Sequence, residues 1–146
     1  MGGTTKPMIA TVVACLAALA AALLPWLRTG QARRSAFALA RSADALGFID
    51  SPVRRGLVVA WYLLPFLTAA VWTAAAVQRP GAAAAIGAVV GAMSIAAGAI
   101  VIALVKAETG PVAAIATGGV ALGSSAWLAA ERRRTMKGME RGGGVT

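Results

Sequence analysis

The side chains of this sequence that could take part in chemistry are few, and they are poorly spaced for it. Asp44 and Asp50 are the nearest approach to the paired carboxylates of general acid–base work, but they stand among arginines, where ion pairing is the expected role. Ser124 and Ser125 are adjacent, yet no histidine or lysine lies within plausible reach to activate either as a nucleophile. The chain has no histidine at all, so the commonest general base and metal ligand is missing. Its one cysteine, Cys15, can form neither an intrachain disulfide nor a cysteine-rich metal site. No catalytic residue, metal site or cofactor is therefore expected, and the chain is not expected to be an enzyme.

Two other patterns stand out. Gly87 and Gly91 form a G-x-x-x-G pair continued by Ser94 and Gly98, and Gly119 and Gly123 repeat the spacing with Ala116 and Ala126 alongside. Small residues at such intervals let helix backbones approach closely in a membrane, where dispersion replaces the hydrophobic effect. These five glycines are read as the packing faces of two neighbouring helices. The second pattern is aromatic. Trp61, Tyr62, Pro65, Thr68 and Trp72 lie within twelve residues, and Trp61, Pro65, Thr68 and Trp72 fall on one helical face. Pro65 has no N–H to donate to the carbonyl of Trp61, which predicts a kink. The stretch is either a groove for a lipid, an apolar ligand or a partner helix, or a pair of interfacial aromatic belts. Trp26 and Trp127 are read as belt residues on the same grounds.

The elements that must position these residues follow from composition. Of 146 residues, 59% are hydrophobic and 13% charged, against the quarter expected of a soluble domain. The mean hydropathy is +0.77. The apolar residues fall into four blocks free of Asp, Glu, Lys and Arg: 8–27, 57–77, 82–105 and 112–130. Each matches the roughly 20 helical residues that cross a bilayer core of about 30 Å. Hydrocarbon offers no partner to backbone N–H and C=O groups, so each block is expected to be helical. This pattern excludes an ordinary soluble enzyme, a disordered chain and a disulfide scaffold.

The connections between blocks agree with four spans. Gln78-Arg79-Pro80-Gly81 reads as a tight turn, and residues 106–111 as another that opens a helix at Pro111. The segment between the first two blocks is longer. Ala36, Leu39, Ala40, Ala43 and Leu46 recur at helical spacing, opposite Arg34 and Arg41, so an amphipathic helix is expected over about 32–46. It either lies in the membrane interface or packs over the ends of the bundle. Ser51-Pro52 reads as the capped start of the next span, with Arg54 and Arg55 in its first turns reaching for the membrane surface. Residues 131–146 form a basic tail. The first block could also be read as a cleaved signal, with Ala18-Leu19-Ala20 as the small-residue site, but its apolar run continues to Trp26, which favours an uncleaved span.

The formal charge of +9 would point to nucleic acid in a soluble domain. Here the cations cluster at block ends, where lipid phosphates and the positive-inside bias account for them, and no nucleic-acid partner is expected. With four spans the cations divide evenly. Lys6, Arg79, Arg132, Arg133, Arg134, Lys137 and Arg141 share one side, and Arg28, Arg33, Arg34, Arg41, Arg54, Arg55 and Lys106 the other. Because Arg132-Arg133-Arg134 directly follows the last block, both termini are expected in the cytoplasm, with Arg54, Arg55 and that triplet as membrane-surface cations. The even division also fits a dimer of dual topology.

Residues Arg34 to Arg41 read Arg-Ser-Ala-Phe-Ala-Leu-Ala-Arg, followed by Leu46-Gly47 and then Trp61-Tyr62-Leu63-Leu64-Pro65. With four spans and a terminal arginine cluster, about a quarter of the chain resembles small uncharacterised four-span membrane proteins of high-GC actinobacteria. That resemblance implies a bacterial plasma-membrane location and brings no catalytic residues with it. The fold class expected is therefore all-α: a polytopic membrane protein of four transmembrane helices, with one amphipathic interfacial helix between the first and second. Its partners are expected to be the lipid bilayer and either a larger membrane complex or further copies of itself. The role expected by elimination is that of an accessory or structural component of a larger envelope complex; the opposing one is an oligomeric small-solute transporter or channel.

Overall fold

The computed structural model describes residues 4–29, 32–35, 38, 51–104 and 109–142. Among the described residues four long helices carry the fold: α1 (Thr5–Leu23), α2 (Ser51–Ala76), α3 (Pro80–Leu104) and α4 (Thr109–Gly142). All four are long and apolar enough to cross a bilayer. Two short strands, β1 (Pro25–Thr29) and β2 (Ala32–Ser35), follow α1 as an antiparallel hairpin in which Leu27 pairs Arg34 and Thr29 pairs Ala32.

Local chemistry fixes the helix ends. Proline disfavours the helical conformation in the residue before it, so Pro25 sends Leu24 into extended backbone (φ −64°, ψ 162°), and the Leu24 N–H closes the helix on Ala21 O at 3.2 Å. The turn from α2 to α3 is a Schellman closure: Arg79 N–H donates to Ala74 O at 2.8 Å and Gln78 N–H to Ala75 O at 3.1 Å. Gln78 occupies the left-handed position of that motif at φ 55°. Pro80 then starts α3, where a missing amide hydrogen costs nothing.

Each helix buries one stripe, and the stripes share a period. On α1 the buried positions include Pro7, Thr11, Ala14, Ala18 and Ala21; on α2, Trp61, Leu64, Thr68, Val71 and Ala75. On α3 they include Ala83, Gly87, Val90, Ser94, Ala97 and Val101; on α4, Ala114, Gly118, Ala121, Ser125 and Leu128. Steps alternate between three and four residues, the seven-residue repeat of left-handed helix packing. The helices α3 and α4 share the most extensive contact, α1 packs on both, and α2 packs on α1 and α3. Met8, Ala74, Ala75, Ala83, Ala84 and Leu128 cluster at one end of the bundle, so the start of α1, the end of α2, the start of α3 and the later part of α4 meet there.

The expected interfacial helix over 32–46 is not what the chain forms where it begins: Ala32–Ser35 is strand β2. The physical reason lies upstream. Once Pro25 ends α1, the residues after it are extended, and pairing β1 with β2 satisfies backbone groups that have left the helix. Ser35 Oγ then accepts the N–H of Ala38 at 3.4 Å, while positions 36, 37 and 39–46 lie outside the described residues. An open-edged hairpin exposes unpaired N–H and C=O groups, which hydrocarbon does not admit, so it belongs at or beyond the membrane surface.

Trp26 differs from the belt residue its sequence position implied. It is completely buried, with ring centroid 4.5 Å from that of Trp61 at an interplanar angle of 83°. Its Nε1–H donates to Ala21 O at 2.9 Å, the same carbonyl that closes α1. The ring lies against Gly110 of α4: a Cβ there would stand 2.7 Å from Nε1 and 2.8 Å from Pro25 O. The hairpin thus plugs one end of the bundle.

Candidate functional site

The bundle interior is closed by backbone. A Cβ on Gly91 would come within 2.7 Å of Gly118 O, and one on Gly118 within 2.7 Å of Gly91 O. The two Cα–H groups therefore face each other's carbonyls, the geometry of paired Cα–H···O contacts. One repeat along, a Cβ on Gly98 would stand 2.7 Å from Pro111 O. The seam between α3 and α4 is thus held by small residues at intervals of seven, not four. Gly87 serves a different junction, where a Cβ would meet both Ser125 Oγ and Thr11 Cγ2 at 2.6 Å, with Cys15 Sγ at 3.8 Å.

Of the glycines assigned to packing from their spacing, Gly87, Gly91 and Gly98 therefore lie in helix contacts, whereas Gly119 and Gly123 are exposed with nothing within 4 Å of a Cβ. The residue that packs from α4 is Gly118, which the four-residue spacing passed over. The signal that finds it is the interval of seven from Pro111, matched to the interval of seven from Gly91 to Gly98.

Four buried hydroxyls are satisfied within their own helices. Thr11 donates to Pro7 O, Thr68 to Leu64 O and Ser94 to Val90 O, each at 2.9 Å. Ser124 donates to Ala121 O at 3.1 Å. Such bonds hold a hydroxyl in an apolar medium without committing it to a neighbour or a ligand. Among the described residues Ser125 Oγ alone is buried without a hydrogen-bond partner.

The aromatic stretch of α2 divides between inside and outside. Trp61 and Thr68 are buried, Pro65 is half-buried, and Tyr62 and Trp72 are exposed, so the five residues do not line one groove. The helix runs unbroken through Pro65. What they leave on the outer face is a bulky ridge: Tyr62 and Phe66 stand outward with Val59 and Leu63, and Phe66, at 73% exposure, is the most prominent, whereas Trp72, also exposed, lies on the side of α2 that carries Trp61 and Thr68. Phe66 was not singled out from the sequence, although its spacing of four from Tyr62 was the available signal.

Among the described side chains, most of the exposed cations lie at the end opposite the hairpin. Lys6, Arg79, Arg132, Arg133, Arg134 and Lys137 are all exposed there, and Glu131, beside Arg132 in sequence, is half-buried. Glu131 pairs with Arg134 at 3.4 Å, an exposed contact worth little in stability. The guanidinium of Arg132 lies over Gly81 in the first turn of α3, with Cζ 2.9 Å and Nε 3.5 Å from where a Cβ would be. At the other end Arg55 is exposed, while the side chain of Arg54 lies outside the described set. The α4 helix does not stop at the last apolar residue but continues through the basic tail to Gly142, about 18 Å past Ala130 at 1.5 Å per residue.

No protein-family model, curated protein or solved structure matches this chain.

Proposed function

We propose that this protein is a four-span integral membrane protein of the bacterial plasma membrane, both termini cytoplasmic, acting as an accessory or structural component of a larger membrane complex. The observation that carries the reading is the contrast between its inside and its outside. Helix backbones touch at Gly91/Gly118 and Gly98/Pro111, and the hairpin seats Trp26 in one end, so a single bundle is filled along its axis. Tyr62 and Phe66, four residues apart on one face of α2, instead project outward at 51% and 73% exposure. A ridge of that kind offers a neighbouring helix the aromatic anchors that dominate interface energetics.

Photo-crosslinking in native membranes tests this. A crosslinker at Phe66 is expected to capture one larger membrane protein, and one at Val120, on the outer face of α4, to capture none. A homo-oligomeric transporter or channel of dual topology is the competing reading, supported by the equal number of cations at the two ends. It gains if both positions crosslink only to further copies of this chain.

A further inference from the structure

Arg132 poses an electrostatic problem that no described residue solves. Its guanidinium rests over Gly81, in the first turn of α3, and only the absence of a Cβ makes room for it. The amino end of a helix carries the positive end of the macrodipole, so a cation there is repelled. Arg79, two residues before Gly81, adds a second positive charge, and Lys6 lies at the same end. Among the described residues the carboxylate at this end, Glu131, is engaged by Arg134, and no acidic side chain faces Arg132. The side chain of Glu140 lies outside the described residues.

Position identifies the anion that would balance this surface. The headgroup layer outside the hydrocarbon core is about 5–7 Å thick on each side, which about four helical residues cross. Counted from Ala130, the last residue of the apolar block, that layer holds Glu131 to Arg134, while Lys137 stands beyond it. The phosphates of the bilayer therefore lie at the height of Arg132. A guanidinium forks two N–H groups onto a phosphate and holds it more specifically than an ammonium does.

We propose that the basic end of the bundle binds an anionic phospholipid, with Arg132, held over Gly81, donating to the lipid phosphate and Arg79 contributing charge beside it. The proposal rests on the membrane-spanning reading but not on the accessory role. A phosphate bound beside the Arg132 guanidinium, at the start of α3, gives both the cation and the helix end a negative neighbour. It also gives a zwitterionic lipid no equal claim, because the ammonium or choline group of such a lipid returns a positive charge to an end already rich in cations.

The test uses the full chain in non-ionic detergent, with native mass spectrometry after titration with phosphatidylglycerol, phosphatidylcholine or inorganic phosphate. The wild-type protein is expected to retain phosphatidylglycerol at least tenfold better than phosphatidylcholine. Millimolar inorganic phosphate is expected to displace little of it, because the acyl chains lie along the bundle. Arg132→Gln should lower retention by at least threefold, Arg79→Gln by less, and Lys137→Gln by under twofold. Circular dichroism on each variant establishes that the fold is kept. Retention by Arg132→Gln equal to wild type overturns the proposal, as does equal loss for Lys137→Gln, which would mark a diffuse charge effect. Efficient displacement by inorganic phosphate would assign the site to a soluble anion instead. Failure of the membrane-spanning reading itself would look different, since the protein would then stay in solution without detergent.

Discussion

Substituting two adjacent glycines in α4 should have opposite consequences. In Gly118→Ala the new Cβ sits 2.7 Å from the backbone oxygen of Gly91, and 3.4 Å is where ordinary contact begins, so about 0.7 Å must be found. No rotamer can supply it, because the obstacle is main chain; Ser94 Cβ at 3.1 Å and Ile95 Cγ1 at 2.9 Å close the sides. The helices must separate, and a gap of 0.5–1 Å forfeits a quarter to a half of each dispersion contact along the seam. Overpacking of this kind costs about 1–3 kcal/mol, and the backbone clash places it near the upper end. Replacing glycine by alanine within a helix returns about 1 kcal/mol, leaving a net loss of about 2 kcal/mol. In Gly119→Ala the Cβ meets nothing within 4 Å, so only the gain of at most about 1 kcal/mol remains. The two variants should therefore differ by about 3 kcal/mol, roughly two decades in the unfolding constant. Unfolding in mixed micelles by titration with sodium dodecyl sulfate, followed by circular dichroism, measures the difference. Equal destabilisation by both substitutions would refute the reasoning, since α4 would then face α3 with a side turned by about 100°.

Four further outcomes follow from single observations. Trp26→Ala should destabilise the bundle by about 3 kcal/mol or more, because it empties the space beside Trp61 and Gly110 and removes the bond to Ala21; the same titration reads it, and a loss under 1 kcal/mol would show that the hairpin does not seat there. Ser125→Ala should be neutral or stabilising by up to about 1 kcal/mol, since its buried oxygen makes no hydrogen bond, and a loss above 1 kcal/mol would reveal a bond to that hydroxyl. Gln78→Gly should stabilise by up to about 1 kcal/mol, because a left-handed φ of 55° costs glycine nothing; a thermal melt in detergent that shifts downward would contradict this. Cys15 is completely buried, so maleimide should label it only after unfolding, and rapid labelling of the folded protein would place α1 differently.

How much of this was legible from the chain alone differs from feature to feature. The α2–α3 turn was readable, because Gln-Arg-Pro-Gly between two apolar blocks has few other uses. The end of α1 was equally available in Pro25, but the apolar residues Trp26 and Leu27 beyond it drew the expected span four residues too far. Trp26 as a core plug could not be read, since a tryptophan near the end of a span is as consistent with a headgroup belt as with burial; only its meeting with Trp61 and Gly110 decides. The packing glycine of α4 was missed for a related reason. Gly118 and Gly119 are adjacent, both fit small-residue motifs, and the choice between them depends on which one meets Gly91 across the bundle.

By itself the sequence determined the number of helices able to span a bilayer and their approximate extents, because a bilayer demands uncharged stretches of a set length and leaves the backbone no conformation but one that bonds to itself. What it left open, and only tertiary structure decided, is the rotation of each helix about its axis. In water the polar side of a helix announces which way it faces. In lipid the outside is as apolar as the inside, so Gly118 and Gly119, or Trp61 and Tyr62, look alike until a neighbouring backbone comes close enough to exclude one and accept the other.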